Sequence, residues 1–397
     1  MPLHISDRRE RLLVATADRA LGAIATIARP FRRRRLIAPT RILILRLERI
    51  GDLLMTLPAL ADLQAFAPAA EIDLVVGSWN QDLARAIDPV KRVMCLDAEW
   101  LAREGRGLSV FSLIEASRRW HSIRYDLAIN FEPDIRGNLM LAASGAAWTA
   151  GYRSGGGGPL LDLALDYDPR AHTSDNARGL VAAIFHSAVP TEVLPTLIVP
   201  SEAHDNASRL LRNAAPPIVG VHVSGGRAIK QWPPERFAEV ARRLVGSSAA
   251  TIVLTGSAVD RPMVEIIKSA LPAQHVVDLA GHLDLLTLAA IVERLDMLVT
   301  GDTGPMHLAV AVGTPVVAVF GPSDPARYAP RGPFDRIVRV DLPCSPCNRI
   351  RLPPARCVGH TPDCLETIQV NDVFSVALTV LDQSMRGGIP ASSSASE

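Results

Sequence analysis

From residue 41 onward, short apolar runs alternate with stretches whose apolar positions recur every three or four residues, and that alternation predicts strands and helices in turn. Arg41–Leu47 (RILILRL), Ile72–Val76 and Leu127–Asn130 read as strands. Leu53–Phe66 reads as a helix that Pro58 can kink, and Asn138–Ala143 opens another helical stretch. Gly155–Gly158 marks a loop, and Leu161–Asp168 alternates like an edge strand with its acids in water, a better reading of Asp166 and Asp168 than a metal-binding pair. Pro190, Pro195, Pro200, Pro216 and Pro217 then bracket a segment with its own helix near Glu202–Asn213.

A second series follows. Its strands are Ile218–Val223, Thr251–Thr255, Val276–Leu279, Met297–Thr300 and Val316–Phe320, separated by helices at Pro234–Val245, Pro262–Ala270, Leu285–Arg294 and Met306–Val312. Strands apolar on both faces with helices between them predict parallel sheets wound right-handedly. Two such series joined by a proline-rich linker predict two α/β domains facing across a cleft, with ligands beyond the carboxyl ends of the strands.

Composition narrows the class. A chain of 397 residues, 48% apolar and 21% charged, suits two folded domains and excludes a disordered or collagen-like chain. No apolar run is long enough to span a bilayer. A net charge of +1 argues against a whole-protein nucleic-acid binder. Five cysteines, one alone (Cys95) and four late, are too few for a disulfide scaffold and fit a reducing compartment.

The small net charge hides an asymmetry. Residues 1–40 carry nine arginines against Asp7, Glu10 and Asp18, so the rest of the chain is acidic on balance. Leu13, Ala17, Ala20, Ile24, Ile27 and Phe31 form one helical stripe, followed by Arg32–Arg35. Such a leader either lies on an anionic membrane surface or packs on the folded body with a solvated basic tail. Arg8-Arg9 has the twin-arginine form, but Asp18-Arg19 interrupts the apolar stretch behind it, so export is not expected. Arg386–Glu397 reads as a disordered tail.

Five loops at strand ends can carry chemistry. In Glu48-Arg49-Ile50-Gly51-Asp52 a carboxylate stands at a strand-to-helix junction; spacing alone favours a helix cap, with a general base the other reading. Ser224-Gly225-Gly226 precedes Lys230-Gln231-Trp232-Pro233-Pro234, where Lys230 is either a surface lysine or a cation placed beside a helix N-terminus for an anion. Thr255–Asp260 has the form of a nucleotide-contacting turn. Gly301-Asp302-Thr303-Gly304-Pro305-Met306-His307 follows a strand and opens a helix, a suitable phosphate site. Gly321–Pro325 follows the next strand. There is no G-x-x-x-x-G-K-[ST] and no G-x-S-x-G, and G-x-G-x-x-G is absent after the first strand. Cys344, Cys347, Cys357 and Cys364 contain one C-x2-C knuckle where a four-thiolate site usually uses two; buried or redox-sensitive thiols are favoured, with zinc the alternative.

Together, R-I-G-D (49–52) with T-L-P-A-L (56–60), K-Q-W-P (230–233), G-D-T-G-P-M-H-L (301–308) and G-T-P-V-V-A-V-F-G-P (313–322) resemble glycosyltransferase family 9, the heptosyltransferases of lipopolysaccharide core assembly. The resemblance covers roughly residues 41–383. It implies a GT-B fold of two Rossmann-like domains, an acceptor domain over 41–200 and a nucleotide-sugar domain over 201–366, with a helix over 367–383 crossing back to the first domain. The basic leader over 1–40 departs from the family pattern by preceding its usual start, and the tail over 384–397 is read from composition.

The resemblance also implies roles. Asp52 matches the general base, which displaces the cap reading, and Lys230 matches the lysine that neutralises the donor phosphates. Ser224, Gly225, Asp302, Thr303, Gly304 and His307 fall to the donor site, with Asp260 near the ribose. Arg49, Glu132 and Arg136 fall to the acceptor side. The implied reaction moves a sugar from a donor such as ADP-heptose to a lipopolysaccharide-core acceptor with inversion and without metal or other cofactor, in the cytoplasm or on the inner face of the inner membrane. A UDP-N-acetylglucosamine epimerase and a non-catalytic envelope-assembly protein are the rival readings.

Overall fold

The computed structural model describes Leu3, Leu36 and residues 7–28, 38–101, 107–190 and 197–387. Phe31, the Arg32–Arg35 cluster, Pro195 and residues 388–397 lie outside the described residues. The chain divides into two units, Met1–Ile198 and Val199–Glu397.

In the first unit six parallel strands, β1 (Arg41–Arg46), β2 (Glu71–Val76), β3 (Val90–Cys95), β4 (Leu127–Asn130), β5 (Trp148–Tyr152) and β6 (Leu163–Leu165), lie in the order 3-2-1-4-5-6. The second unit repeats this arrangement. Its strands are β7 (Ile218–His222), β8 (Thr251–Thr255), β9 (Val276–Asp278), β10 (Met297–Gly301), β11 (Val316–Val319) and β12 (Arg336–Val338), ordered 12-11-10-7-8-9. Each sheet is doubly wound, and its order reverses between its first and fourth strands, where a ligand crevice forms in such sheets.

The apolar runs became strands because they are buried on both faces; β1 and β2 are buried everywhere except their first residues. Three strands escaped the pattern. Residues of β3 such as Lys91 and Arg92 are exposed, β5 contains Gly151, and β12 is three residues long. The predicted kinked helix is instead two, Ile50–Leu54 and Leu57–Phe66, because Pro58 sits in the first turn of the second. β6 is an edge strand, and Asp166 beyond it pairs with Arg153 at 2.7 Å.

In the first unit the helix Leu57–Phe66 packs on Thr173–Ile184, and the two are joined by Asp62, fully buried, whose carboxylate accepts from Arg178 Nε at 2.6 Å and Nη2 at 3.0 Å. In the second, Trp232 is 1% exposed and packs edge-on against Phe237 at 4.9 Å. The last helix spans Val370–Gly387, into the segment expected as tail, and packs on helix Pro234–Ser248 and on β10, β11 and β12.

The leader forms a helix over Arg8–Ala28 that docks on the first unit. Val14 is buried, and the Asp18 carboxylate accepts the Gly157 N–H at 2.5 Å. A Cβ on Gly156, whose φ is +95°, would stand 2.3 Å from Val14 Cγ1, so the glycine loop is the seat of this helix. The buried face is offset from the expected stripe: Leu13 is 72% exposed. No helix among the described residues is long and apolar enough to cross a membrane.

Candidate active site

Each unit gathers its candidate residues beyond the carboxyl ends of its strands, mostly those flanking the reversal of order, with Asp260 following β8. In the first unit the centre is Arg46, the last residue of β1 and only 2% exposed. Its Nε donates to the Asp52 carbonyl at 3.0 Å, its Nη1 donates to the Phe131 carbonyl at 3.2 Å, and the same Nη1 pairs with the Glu48 carboxylate. One buried guanidinium thus ties the turn carrying Asp52 to the end of β4. Burial disfavours its charge, but Glu48, Asp52 and Glu132 outweigh that and raise its pKa.

Asp52 occupies the third position of helix Ile50–Leu54, partly exposed, and its Oδ2 accepts the Arg49 N–H at 3.3 Å. That long contact is a weak cap. Arg49 is held in turn: its guanidinium donates to the Leu101 carbonyl and lies 5.0 Å from the Trp79 ring centre. Trp79 Nε1 and Asn80 Nδ2 both donate to the Glu48 carbonyl, at 2.7 and 2.9 Å. Glu132 has its pKa pushed well up by burial first and then by Glu48 and Asp134, with Arg46 opposing. Arg136, expected to meet a phosphorylated acceptor, is already engaged: its Nε donates to Asp134 Oδ1 at 2.8 Å and its guanidinium lies 4.1 Å from the Trp100 ring centre.

The second unit holds the elements expected to bind an anion. Lys230 Nζ pairs with Asp302 Oδ2 at 2.7 Å, so the expected phosphate lysine shares its charge with the expected donor-loop acid. Burial would raise the Asp302 pKa, but Lys230, the Ser323 hydroxyl and His307 overcome it and the net shift is downward. Thr303 caps helix Gly304–Val312 through its backbone alone; its hydroxyl lies 3.2 Å from that of Thr300. The first-turn N–H groups therefore point out of β10 without a side-chain acceptor from Thr303, the geometry that receives phosphate. Gly225 is required where it stands, because a Cβ there would lie 2.9 Å from the Lys230 carbonyl carbon.

Asp260 closes a capping box on Ser257, accepting its N–H at 2.8 Å and its hydroxyl at 2.6 Å, and also bonds the Ser224 hydroxyl. Its neighbour His222, at the end of β7, is buried, faces the Thr255 hydroxyl at 3.0 Å and is lowered to about 4 by burial. Arg46, Trp79, Asn80 and His222 were not singled out from the sequence; Glu48 and Ser323 lie in two of the five strand-end loops but were given no role of their own.

Cys344, Cys347, Cys357 and Cys364 line one small cavity of about 20 Å³. Among the described residues no group of three His, Cys, Asp or Glu side chains is disposed to hold a metal ion. Burial, then the neighbouring Cys347, pushes the Cys364 thiol up to about 11, so it stays protonated.

The family model described as "Glycosyltransferase family 9 (heptosyltransferase)" matches residues 115–354. The chain is 26% identical over 320 residues to lipooligosaccharide heptosyltransferase 2 of Haemophilus influenzae, covering 75% of this chain and 88% of that protein. Lipopolysaccharide heptosyltransferase 2 of Escherichia coli is 26% identical over 316 residues, 76% and 88% of the two chains. Among solved structures, E. coli ADP-heptose LPS heptosyltransferase II superposes with a TM-score of 0.70 at 22% identity, covering 87% of this chain and 99% of that one. A family 9 glycosyltransferase from Veillonella parvula superposes at 0.72 and 22%, over 88% and 99%. These two share the fold, with its pair of Rossmann-like units. Matched by the family model over more than half of its length, the chain belongs to glycosyltransferase family 9 and is a glycosyltransferase.

Proposed function

We propose that the chain transfers heptose from ADP-heptose to a lipopolysaccharide-core acceptor, with inversion and without a metal. The observation that carries this reading is the placement of R-I-G-D and of the Lys230, Asp302 and Thr303 cluster at the strand ends where each sheet reverses its order. The relatives reported above are named as heptosyltransferases, which supports this reading.

In the proposed step the acceptor hydroxyl oxygen bonds to the anomeric carbon as the bond from that carbon to the donor's β-phosphate oxygen breaks. ADP leaves with the electron pair, and Asp52 takes the hydroxyl proton. Lys230 and the N–H groups opening helix Gly304–Val312 stabilise the charge that develops on the phosphate. Because Asp302 already pairs with Lys230, the donor phosphate shares that lysine rather than meeting a bare cation. Ser224, Gly225, Asp260 and His307 complete the donor side, and Arg49, Glu132 and Arg136 the acceptor side. Arg8, Arg9 and Arg11, exposed beside Leu12 and Leu13 on the leader helix, support contact with the inner face of the inner membrane.

Incubation of purified protein with ADP-heptose, with and without a core acceptor truncated before its heptose, tests the reading by mass spectrometry. Addition of one heptose to the acceptor is expected. Conversion of a nucleotide sugar without acceptor would instead identify an epimerase.

A further inference from the structure

Residues 349–361 contain three arginines and no acid. Arg349, Arg351 and Arg356 are exposed, as is Arg227 nearby, and among the described residues none of these four side chains has a hydrogen bond, ion pair or ring contact. The same loop leaves Leu352 67% and Val358 59% exposed. Its root is fixed: Asn348 N–H donates to the Pro322 carbonyl at 2.7 Å, and the Ser345 hydroxyl donates to the Gly321 carbonyl at 2.9 Å. Pro353-Pro354 stiffens its middle.

Between this loop and residues 227–235 lies an open cavity of about 660 Å³. Arg227, Arg351, His360 and Thr361 line it together with Trp232 and one acid, Glu235; Lys230 and Asp302 are not part of its wall. The cavity adjoins the segment that carries Lys230, whose neighbours Ile229 and Gln231 line it.

We propose that this loop and its cavity dock on an anionic phospholipid bilayer, with a headgroup phosphate between Arg227 and Arg351 and with Leu352 and Val358 entering the interfacial layer. Charge complementarity selects the partner: unpaired guanidinium groups match phosphate geometry, and each cation near an anionic membrane strengthens binding about fivefold. A free phosphate ion would satisfy the arginines but leave both apolar side chains in water, whereas a lipid surface satisfies both. The contact is distinct from that of the leader helix and does not depend on which sugar is transferred.

Sedimentation of the full chain with phosphatidylcholine vesicles, with and without phosphatidylglycerol and without donor or acceptor, tests this; failure of the sugar-transfer reading leaves the result unaffected. The wild type is expected to bind the phosphatidylglycerol vesicles. Arg351→Glu/Arg356→Glu should lower that affinity at least about tenfold, and Leu352→Ser/Val358→Ser severalfold, both with wild-type melting. If the arginine variant melts early, Arg227→Glu/Arg349→Glu takes its place with the same expectation. No preference of the wild type for phosphatidylglycerol, or wild-type affinity in either variant, overturns the proposal. Saturable binding of inorganic phosphate without vesicle binding also overturns it, because the site would then serve a free anion.

Discussion

Lys230 and Asp302, one just before helix Pro234–Ser248 and the other just after β10, form an ion pair at 2.7 Å with side chains 18% and 10% exposed. Removing one partner of such a pair leaves the other buried and uncompensated. Lys230→Ala should weaken ADP-heptose binding at least about tenfold by calorimetry and lower the melting temperature. Lys230→Met/Asp302→Asn should recover the melting temperature but not the donor affinity. Unchanged donor affinity in Lys230→Ala would remove the lysine from the site.

Asp52 is expected to act on the proton of the acceptor and not on the donor. Asp52→Ala should cut turnover about a hundredfold or more while leaving donor affinity nearly unchanged. Near-normal turnover would exclude it as the base.

Arg46 positions Asp52 without touching either substrate in this scheme. Arg46→Lys keeps the charge but loses the fork that reaches both the Asp52 and Phe131 carbonyls. A fall in kcat of about tenfold with little change in donor KM is expected. A variant that merely melts earlier, with the same kcat, would reduce Arg46 to a structural role.

His222 makes stability depend on pH. Its folded pKa is about 4 against an ordinary 6.5, so the unfolded chain binds its proton first. The contribution is fully present above pH 6.5, is lost as pH falls toward 4, and amounts to about 3 kcal/mol. Thermal melts at stepped pH should show His222→Gln losing less stability than wild type across that window.

Asp62 and Arg178 offer a test of the first unit's packing. Arg178→Ala strands a fully buried carboxylate and should destabilise by about 3–5 kcal/mol in urea unfolding. Asp62→Asn/Arg178→Met should recover most of that loss.

The central strands were readable because β7, β8, β10 and β11 are short runs buried on both faces. β3 and β12 were not, because an edge strand needs only one neighbour and tolerates the charges of Lys91, Arg92 and Arg336. The turn after β10 announced itself through Gly301-Asp302-Thr303-Gly304-Pro305, whose residue types fit a strand-to-helix turn. Arg46 and His222 gave no such signal. Each lies at the end of a strand, and its burial depends on what the adjacent strand brings from far along the chain: Phe131 in one case, Thr255 in the other. Pairing of Lys230 with Asp302 is long-range in the same sense.

The seat of the leader helix has a cost when the chain is shortened. Gly155 allows its loop to press on the Pro133 carbonyl, where a Cβ would come within 1.8 Å, and Asp18 and Val14 clamp the same loop from the other side. Trimming the protein back to β1 would unclamp a run of four glycines that abuts the segment carrying Glu132 and Arg136. A shortened enzyme should therefore grow careless about its acceptor while still recognising its donor.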